Sequence, residues 1–252
     1  MKTIPKTIHY CWFGQKPLPE LALKCIASWR KFLPNFEIKE WNENNFNVNQ
    51  IPYTAQAYQC GKFAFVSDYA RFKIMHEQGG VYFDTDVEII KPMEKIITKG
   101  PFFGLESSKN KLFCNPGLGF ASTPNLELCK EMIDYYIKEP FLLSNGKYNL
   151  KTVVQIFSNI LRKKGFTPTN DLTEFKGLFF YPPEYFCPMN YHTGETNITP
   201  NTYTIHHYAG SWVNENDNPS KIVKIWKALH LPDTDIRGKI SKLLKNKSCP
   251  HH

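Results

Sequence analysis

The chain has 252 residues, 42% of them apolar and 15% aromatic, which excludes a disordered segment and is enough to bury a sizeable core as one large domain. A formal charge of +8 admits nucleic acid, anionic lipid or an anionic substrate such as a sugar nucleotide, and does not choose among them. Seven cysteines without a C-x-x-C pair speak against zinc and for free thiols in a reducing compartment, and no apolar run has the length of a secretory signal or membrane span.

Thr7 to Phe13 reads as a buried strand closed by Gly14, followed by a helix from about Leu21 to Phe32 and a second strand, FEIKEW, after Pro34. That alternation predicts a sheet with helices on its faces. From Lys62 to Gln78, Phe65, Tyr69, Phe72 and Met75 recur at helical spacing, and Gly79-Gly80 supplies a left-handed stop before the strand VYFDTDVEII. FFGLES and GLGFAST read as short strands, and helices are expected at Leu126 to Ile137 and Thr152 to Lys163. LFFYPPEYFCP is strand then loop, and TYTIHHYAGSWV is a last strand turning at Gly210. A helix from Ser220 to His230 and then Pro232 end the body, so the main domain is drawn at 1–232 and a tail at 233–252.

In that tail Ile236, Ile240, Leu243 and Leu244 recur at helical spacing, with Lys239, Lys242, Lys245 and Lys247 around the remaining perimeter. Such a helix suits either light packing on the domain or contact with an anionic membrane surface.

Three constellations can carry chemistry. In a strand, residues i and i+2 share a side, so Asp84 and Asp86 would project together where the apolar run VYF gives way to polar chain. Two carboxylates that close repel unless a cation lies between them, and Mg2+ or Mn2+ with its preference for oxygen ligands and phosphates is the usual solution. An isolated D-x-D is more often a solvated turn. The segment SDYAR places Asp68 and Arg71 on one helical face beside Ser67, which alone would be a surface ion pair. IHHYAGSW gathers two histidines, a serine and a tryptophan; alternation sends His206 and His207 to opposite faces, so one of them at most points to a shared metal.

Together, IPKTIHYCWFG, AFVSDYARFKIMHEQGGVYFDTDVEIIKP and IHHYAGSW resemble glycosyltransferase family 32, the D-x-D sugar transferases of bacterial capsule and O-antigen synthesis, and more weakly the glucosylating domains of clostridial toxins. The resemblance implies a GT-A-like α/β fold, a single domain whose mostly parallel central sheet is flanked by helices. It further implies a retaining hexosyltransferase that uses Mn2+ or Mg2+, a UDP-sugar or GDP-mannose as donor, and a glycan or lipid-linked glycan as acceptor rather than nucleic acid. Such an enzyme would be cytoplasmic, or peripheral on the inner face of the cytoplasmic membrane through its basic tail. Carried over to this chain, the resemblance makes Trp12, with Tyr10 nearby, the border of the nucleotide base; Asp68, Arg71 and Ser67 would orient the hexose. Asp84 would reach ribose or sugar and Asp86 the metal, with His207 favoured as the completing ligand and His206 in reserve. Ser211 and Trp212 would close over the phosphates, and Asn115 and Asn149 would be donor contacts.

Two other readings have weight. Haloacid-dehalogenase-like phosphatases also place an aspartate pair after an apolar strand, but Val87 and Glu88 follow the pair here where a small hydroxyl residue is needed. A noncatalytic carbohydrate-binding protein could use the aromatics and the positive charge, and leaves the aspartate pair unexplained.

Overall fold

The computed structural model describes residues 3–191 and 193–210. In chain order the first half holds β1 (Thr7–Cys11), α1 (Glu20–Phe32), β2 (Glu37–Trp41), α2 (Pro52–Gln59), α3 (Phe63–Gln78), β3 (Gly80–Tyr82), β4 (Val87–Ile89) and α4 (Glu94–Lys99). The second half holds β5 (Phe102–Ser108), β6 (Lys111–Cys114), β7 (Phe120–Ser122), α5 (Glu127–Lys138), α6 (Val153–Lys163), β8 (Thr173–Phe175), β9 (Leu178–Tyr181), α7 (Pro183–Phe186) and β10 (Thr204–His206). Ser211, Trp212, the expected helix from Ser220, the boundary at Pro232 and the basic tail lie outside the described residues.

The main sheet has the order β2-β1-β3-β7-β5-β9-β8, with β6 paired to β5. β1 runs parallel to β2 and β3, β7 lies antiparallel between β3 and β5, and β5 is parallel to β9. Strands β2, β1, β3, β5 and β9 therefore point one way, and β7, β6 and β8 oppose them. This is the α/β fold with a mostly parallel central sheet that the sequence led us to expect.

Strand alternation divides the apolar residues between two cores. Ile8 and Tyr10 of β1 join Ile26 and Trp29 of α1 on one face, while Cys11 joins Phe65, Tyr69 and Phe72 of α3 on the other. The junction between α3 and β3 is tied to β1 by a buried imidazole. Trp41 donates its indole N–H to His9 Nδ1 at 3.1 Å, so Nε2 carries the proton and donates to Gly79 O at 3.0 Å. Burial lowers the His9 pKa to about 4 and keeps the ring neutral. Gly80 has to be glycine here, since its φ is 104° and a Cβ would lie 2.6 Å from Thr7 O.

The strand expected across VYFDTDVEII is two strands. After β3 the chain turns through Asp84 to Asp86, closed by Val87 N donating to Asp84 O at 3.1 Å, and β4 leaves the main sheet to pair with β10. Helix α1 receives it: Trp29 Nε1 donates to Val87 O at 2.7 Å, and Ile89 N donates to Ser28 Oγ at 2.9 Å. Those bonds satisfy backbone groups that continued pairing in the main sheet would have used.

Candidate active site

The acidic turn follows β3 at the ends of β1, β2 and β3 where their carbonyl termini emerge, the edge at which open α/β sheets form their crevice. Asp84 N donates to Gly117 O at 3.2 Å, binding the turn to the segment after β6. Gly117 is pressed against it so closely that a Cβ would lie 2.2 Å from Asp84 Oδ2. Absence of a side chain there is what lets the carboxylate take its place.

Helix α3 presents Asp68 and Arg71 to the same turn. Arg71 is 4% exposed, pairs with Asp68 Oδ1 at 2.9 Å, approaches both Asp84 oxygens at 3.3 and 3.4 Å, and lies over the Tyr82 ring at 5.0 Å. Tyr82 O–H donates to Asp84 Oδ1 at 3.0 Å. The pair that alone would have been a surface contact is therefore a buried network. Burial works against the charge on Arg71, and Asp84, Tyr82 and Asp68 outweigh it and hold the guanidinium protonated. Burial raises the Asp68 carboxyl to about 7 against the pull of Arg71, and raises Asp84 in the same sense, with Asp86 adding to it.

Asp86 is in a different setting. Its Oδ2 accepts Ala209 N–H at 2.8 Å and its Oδ1 lies 3.3 Å from His206 Nε2. Burial alone would raise its pKa, but the His206 charge and these hydrogen bonds bring it down to about 2, while Asp86 raises His206 well above the usual histidine range despite its burial. Asp84, Asp86 and His206 each bring a ligand atom within 4.8 Å of the others. Two carboxylates and an imidazole are a donor set that Mn2+ accepts, and the proton on His206 supplies the positive charge such a cation would bring. The residues present fit a divalent ion.

The preference for His207 is corrected. His207 Nε2 bonds Glu88 Oε2 at 2.8 Å, and Glu88 also pairs with Lys24 at 3.0 Å, so that imidazole is held by Glu88. β10 pairs antiparallel with β4 and sets His206 opposite Val87. Asp86 belongs to the turn before β4 and not to the strand, so strand alternation does not govern it; its carboxylate meets His206 Nε2 at 3.3 Å while its backbone O accepts His207 N–H at 3.0 Å. Tyr208 then bends the chain with φ at 49° and brings Ala209 N–H back to Asp86.

Trp12 lines a cleft of about 440 Å³ beside the strand ends, together with Gln15, Lys16, Glu40, Asn42, Glu43 and Asn44. Its indole N–H donates to Lys16 O at 2.6 Å, which fixes the ring. Tyr10 packs its ring edge on Trp29 and donates its hydroxyl to Glu40 Oε2 at 2.6 Å, so it supports the cleft by orienting Glu40. Ser67 Oγ donates to Phe63 O at 3.2 Å within α3, and Arg71 Nε donates to Ser67 O. Asn115 donates to Glu106 Oε2 at 2.8 Å and accepts Gly117 N–H at 2.7 Å, placing it beside the acidic turn. Asn149 is drawn into its own loop instead: it donates to Pro140 O and Glu139 Oε2 and accepts from Lys151 N, so its polar atoms serve the 139–151 turn. Ser211 and Trp212 lie outside the described residues.

Glu40, Glu43, Tyr82, Glu106 and Tyr208 were not singled out from sequence. Only Tyr82, two residues before Asp84, carried a signal, its place in the aromatic run; the others are brought in by chain separations such as the 102 residues between Glu106 and Tyr208.

Residues 19–103, which span α1 to the start of β5, match the glycosyltransferase sugar-binding region containing the DXD motif. An uncharacterised glycosyltransferase of Acanthamoeba polyphaga mimivirus is 29% identical over 201 residues, 74% of this chain and 76% of that protein. Inositol phosphoceramide mannosyltransferase 1 of Schizosaccharomyces pombe is 28% identical over 135 residues, 49% of this chain and 40% of that protein, so the chain matches less than half of it. Among solved structures, the PaToxG glycosyltransferase superposes with a TM-score of 0.49 at 20% identity over 64% of this chain and 70% of that one. With its acidic turn inside the matched region and glycosyltransferases among its relatives, the chain is similar to the DXD-type glycosyltransferases.

Proposed function

We propose that the chain moves a hexose from a nucleotide-diphosphate sugar, UDP- or GDP-linked, to a glycan acceptor, with a divalent ion held by Asp84, Asp86 and His206 and the donor's anomeric configuration retained. The observation that carries this reading is the convergence of those three ligand atoms within 4.8 Å, beside a guanidinium that the buried Asp68 and the half-buried Asp84 hold charged. When bound, the ion would neutralise charge developing on the departing diphosphate.

The chain's own residues supply the rest. Arg71 adds fixed positive charge in a site of low solvent access, where it needs no reorganisation as the anomeric bond breaks. Asp68 and Asp84 set its direction, and their remaining acceptor capacity suits sugar hydroxyls. Trp12 offers a ring face for the base, and Glu40, Asn42 and Glu43 offer acceptors for its N–H groups and for ribose hydroxyls. A diphosphate lying between cleft and acidic turn would follow the carbonyl ends of β1 and β3, the arrangement of the GT-A-like nucleotide-sugar transferases. The yeast relative's name joins mannose to a phosphosphingolipid, which supports GDP-mannose among the donors and a lipid-linked acceptor among the acceptors. For a capsule or O-antigen pathway the support is the motif resemblance alone.

The test is a panel of UDP- and GDP-sugars incubated with the full chain and Mn2+, scored for release of nucleoside diphosphate, with the product anomer read by NMR. One donor should give metal-dependent release that Asp86→Asn abolishes. Release of inorganic phosphate in place of nucleoside diphosphate would support the phosphatase reading, and binding without turnover the noncatalytic one.

A further inference from the structure

Glu106 sits on β5 within reach of Asn115 and Tyr208, and neither the metal set nor the Arg71 network uses it. Its Oε2 accepts Asn115 Nδ2–H at 2.8 Å and Tyr208 O–H at 3.5 Å. Among the described residues its Oε1 takes no hydrogen bond or ion pair, and that oxygen is not sealed in the core. Both holders lead straight to the candidate metal set. Asn115 Oδ1 accepts Gly117 N–H at 2.7 Å, and Gly117 O accepts Asp84 N–H; the Tyr208 ring packs on His206 with centroids 4.3 Å apart, and its hydroxyl is also 2.8 Å from Cys187 Sγ.

A carboxylate in this position does little for the fold. Removing it from bulk water costs more than one good and one long hydrogen bond return. What the arrangement does achieve is direction: one oxygen is pinned from two sides, so the other is presented at a fixed place beside the acidic turn. An anionic acceptor of that kind would repel a phosphate and makes its strongest uncharged contact with a hydroxyl.

We propose that Glu106 is a carbohydrate-binding residue of the transfer site, its Oε1 accepting a hydrogen bond from a sugar hydroxyl, with Asn115 and Tyr208 as the residues that position it. This rests on the glycosyl-transfer reading of the same site. The hydroxyl belongs either to the transferred hexose or to the acceptor, and the chemistry is the same.

The experiment compares the wild-type full chain with Glu106→Gln, using the donor identified in the panel. It measures Mn2+-dependent affinity for the nucleoside diphosphate alone, hydrolysis of the nucleotide sugar in water, and transfer to acceptor. Nucleoside diphosphate affinity should stay within about twofold while kcat/KM for transfer falls roughly 10- to 100-fold, the effect of a lost hydrogen bond to a charged group. If hydrolysis falls with transfer, the hydroxyl is on the transferred sugar; if hydrolysis is spared, it is on the acceptor. Transfer within about twofold of wild type, or an equal loss of nucleoside diphosphate affinity, overturns the proposal. Tyr208→Phe, which keeps the carboxylate and removes one holder, should lower transfer in the same direction without lowering the melting temperature, and it decides the matter if Glu106→Gln fails to fold. A wild-type chain that releases no nucleoside diphosphate from any donor removes the transfer reading and this inference with it; an active wild type matched by Glu106→Gln removes this inference alone.

Discussion

Gly117→Ala is the smallest change that reads how firmly the acidic turn is held. The φ of Gly117 lies outside the left-handed region, so alanine is allowed by the backbone, and the obstacle is what its Cβ would meet: Asp84 Oδ2 at 2.2 Å and Asn115 Oδ1 at 3.0 Å. Ordinary contact begins near 3.4 Å, so the Asp84 carboxylate must move by about 1.2 Å. It cannot do so and keep both the Arg71 contacts at 3.3 and 3.4 Å and the Tyr82 hydrogen bond at 3.0 Å. Losing one hydrogen bond to a charged group costs about 1.5–3 kcal/mol, and a misplacement of about 1 Å in a reacting constellation costs about 100-fold in rate. The variant should therefore unfold in urea with about 2 kcal/mol less stability and lose about 100-fold in kcat/KM. The collision involves Asp84 itself, so the penalty should largely vanish when Gly117→Ala is placed in an Asp84→Ala background, a coupling a double-mutant cycle measures directly. A Gly117→Ala chain with wild-type turnover, or a stability penalty of the same size in the Asp84→Ala background, would refute the reasoning.

Arg71→Met leaves the buried Asp68 and the half-buried Asp84 without their cation and should cost about 3–5 kcal/mol in urea unfolding, as removal of one partner of a buried pair such as Arg71–Asp68 does; a loss under about 1 kcal/mol would show that the guanidinium does not compensate them. Asp68 has a folded pKa raised from 3.8 to about 7, so folding favours its protonated form; that contribution is complete below 3.8 and is lost as pH rises through about 7. Wild type should accordingly lose stability relative to Asp68→Asn as pH rises from about 4 to about 7 in ion-free buffer and level off above that, and a pH-independent difference would contradict the raised value. Trp12→Ala should weaken nucleoside diphosphate binding by roughly tenfold or more, the worth of one base stacked on an aromatic ring, and unchanged affinity by calorimetry would remove the stacking role.

Long periodic segments were legible because local pattern and tertiary burial agree in them. The helix expected at Lys62 to Gln78 is α3, Phe63–Gln78, since its apolar spacing and its glycine stop are both local signals. α2 and α4 were missed: Tyr53, Thr54 and Ala57 of α2 make a short buried stripe that starts at Pro52, and α4 spans only Glu94–Lys99. The D-x-D pair was legible as chemistry and misplaced as geometry. Asp84 and Asp86 meet through a turn stabilised by Gly117 O and by the departure of β4 toward α1, contacts that no window around the pair contains. The histidine choice failed for a related reason. Which of His206 and His207 meets Asp86 is decided by the turn that holds Asp86 ahead of β4 and by β10 lying beside it, segments more than 100 residues apart by the chain separation of His207 from Glu88.

The measurement that bears most directly on the site is a Mn2+ titration of the full chain in the presence of nucleoside diphosphate, followed by calorimetry. Wild type should show one saturable ion; Asp86→Asn and His206→Ala should each weaken it by tenfold or more, and His207→Ala should stay within about twofold of wild type. A chain that takes up no ion, or one whose affinity collapses with His207→Ala and survives His206→Ala, would contradict the assignment of Asp84, Asp86 and His206 as the set that holds it.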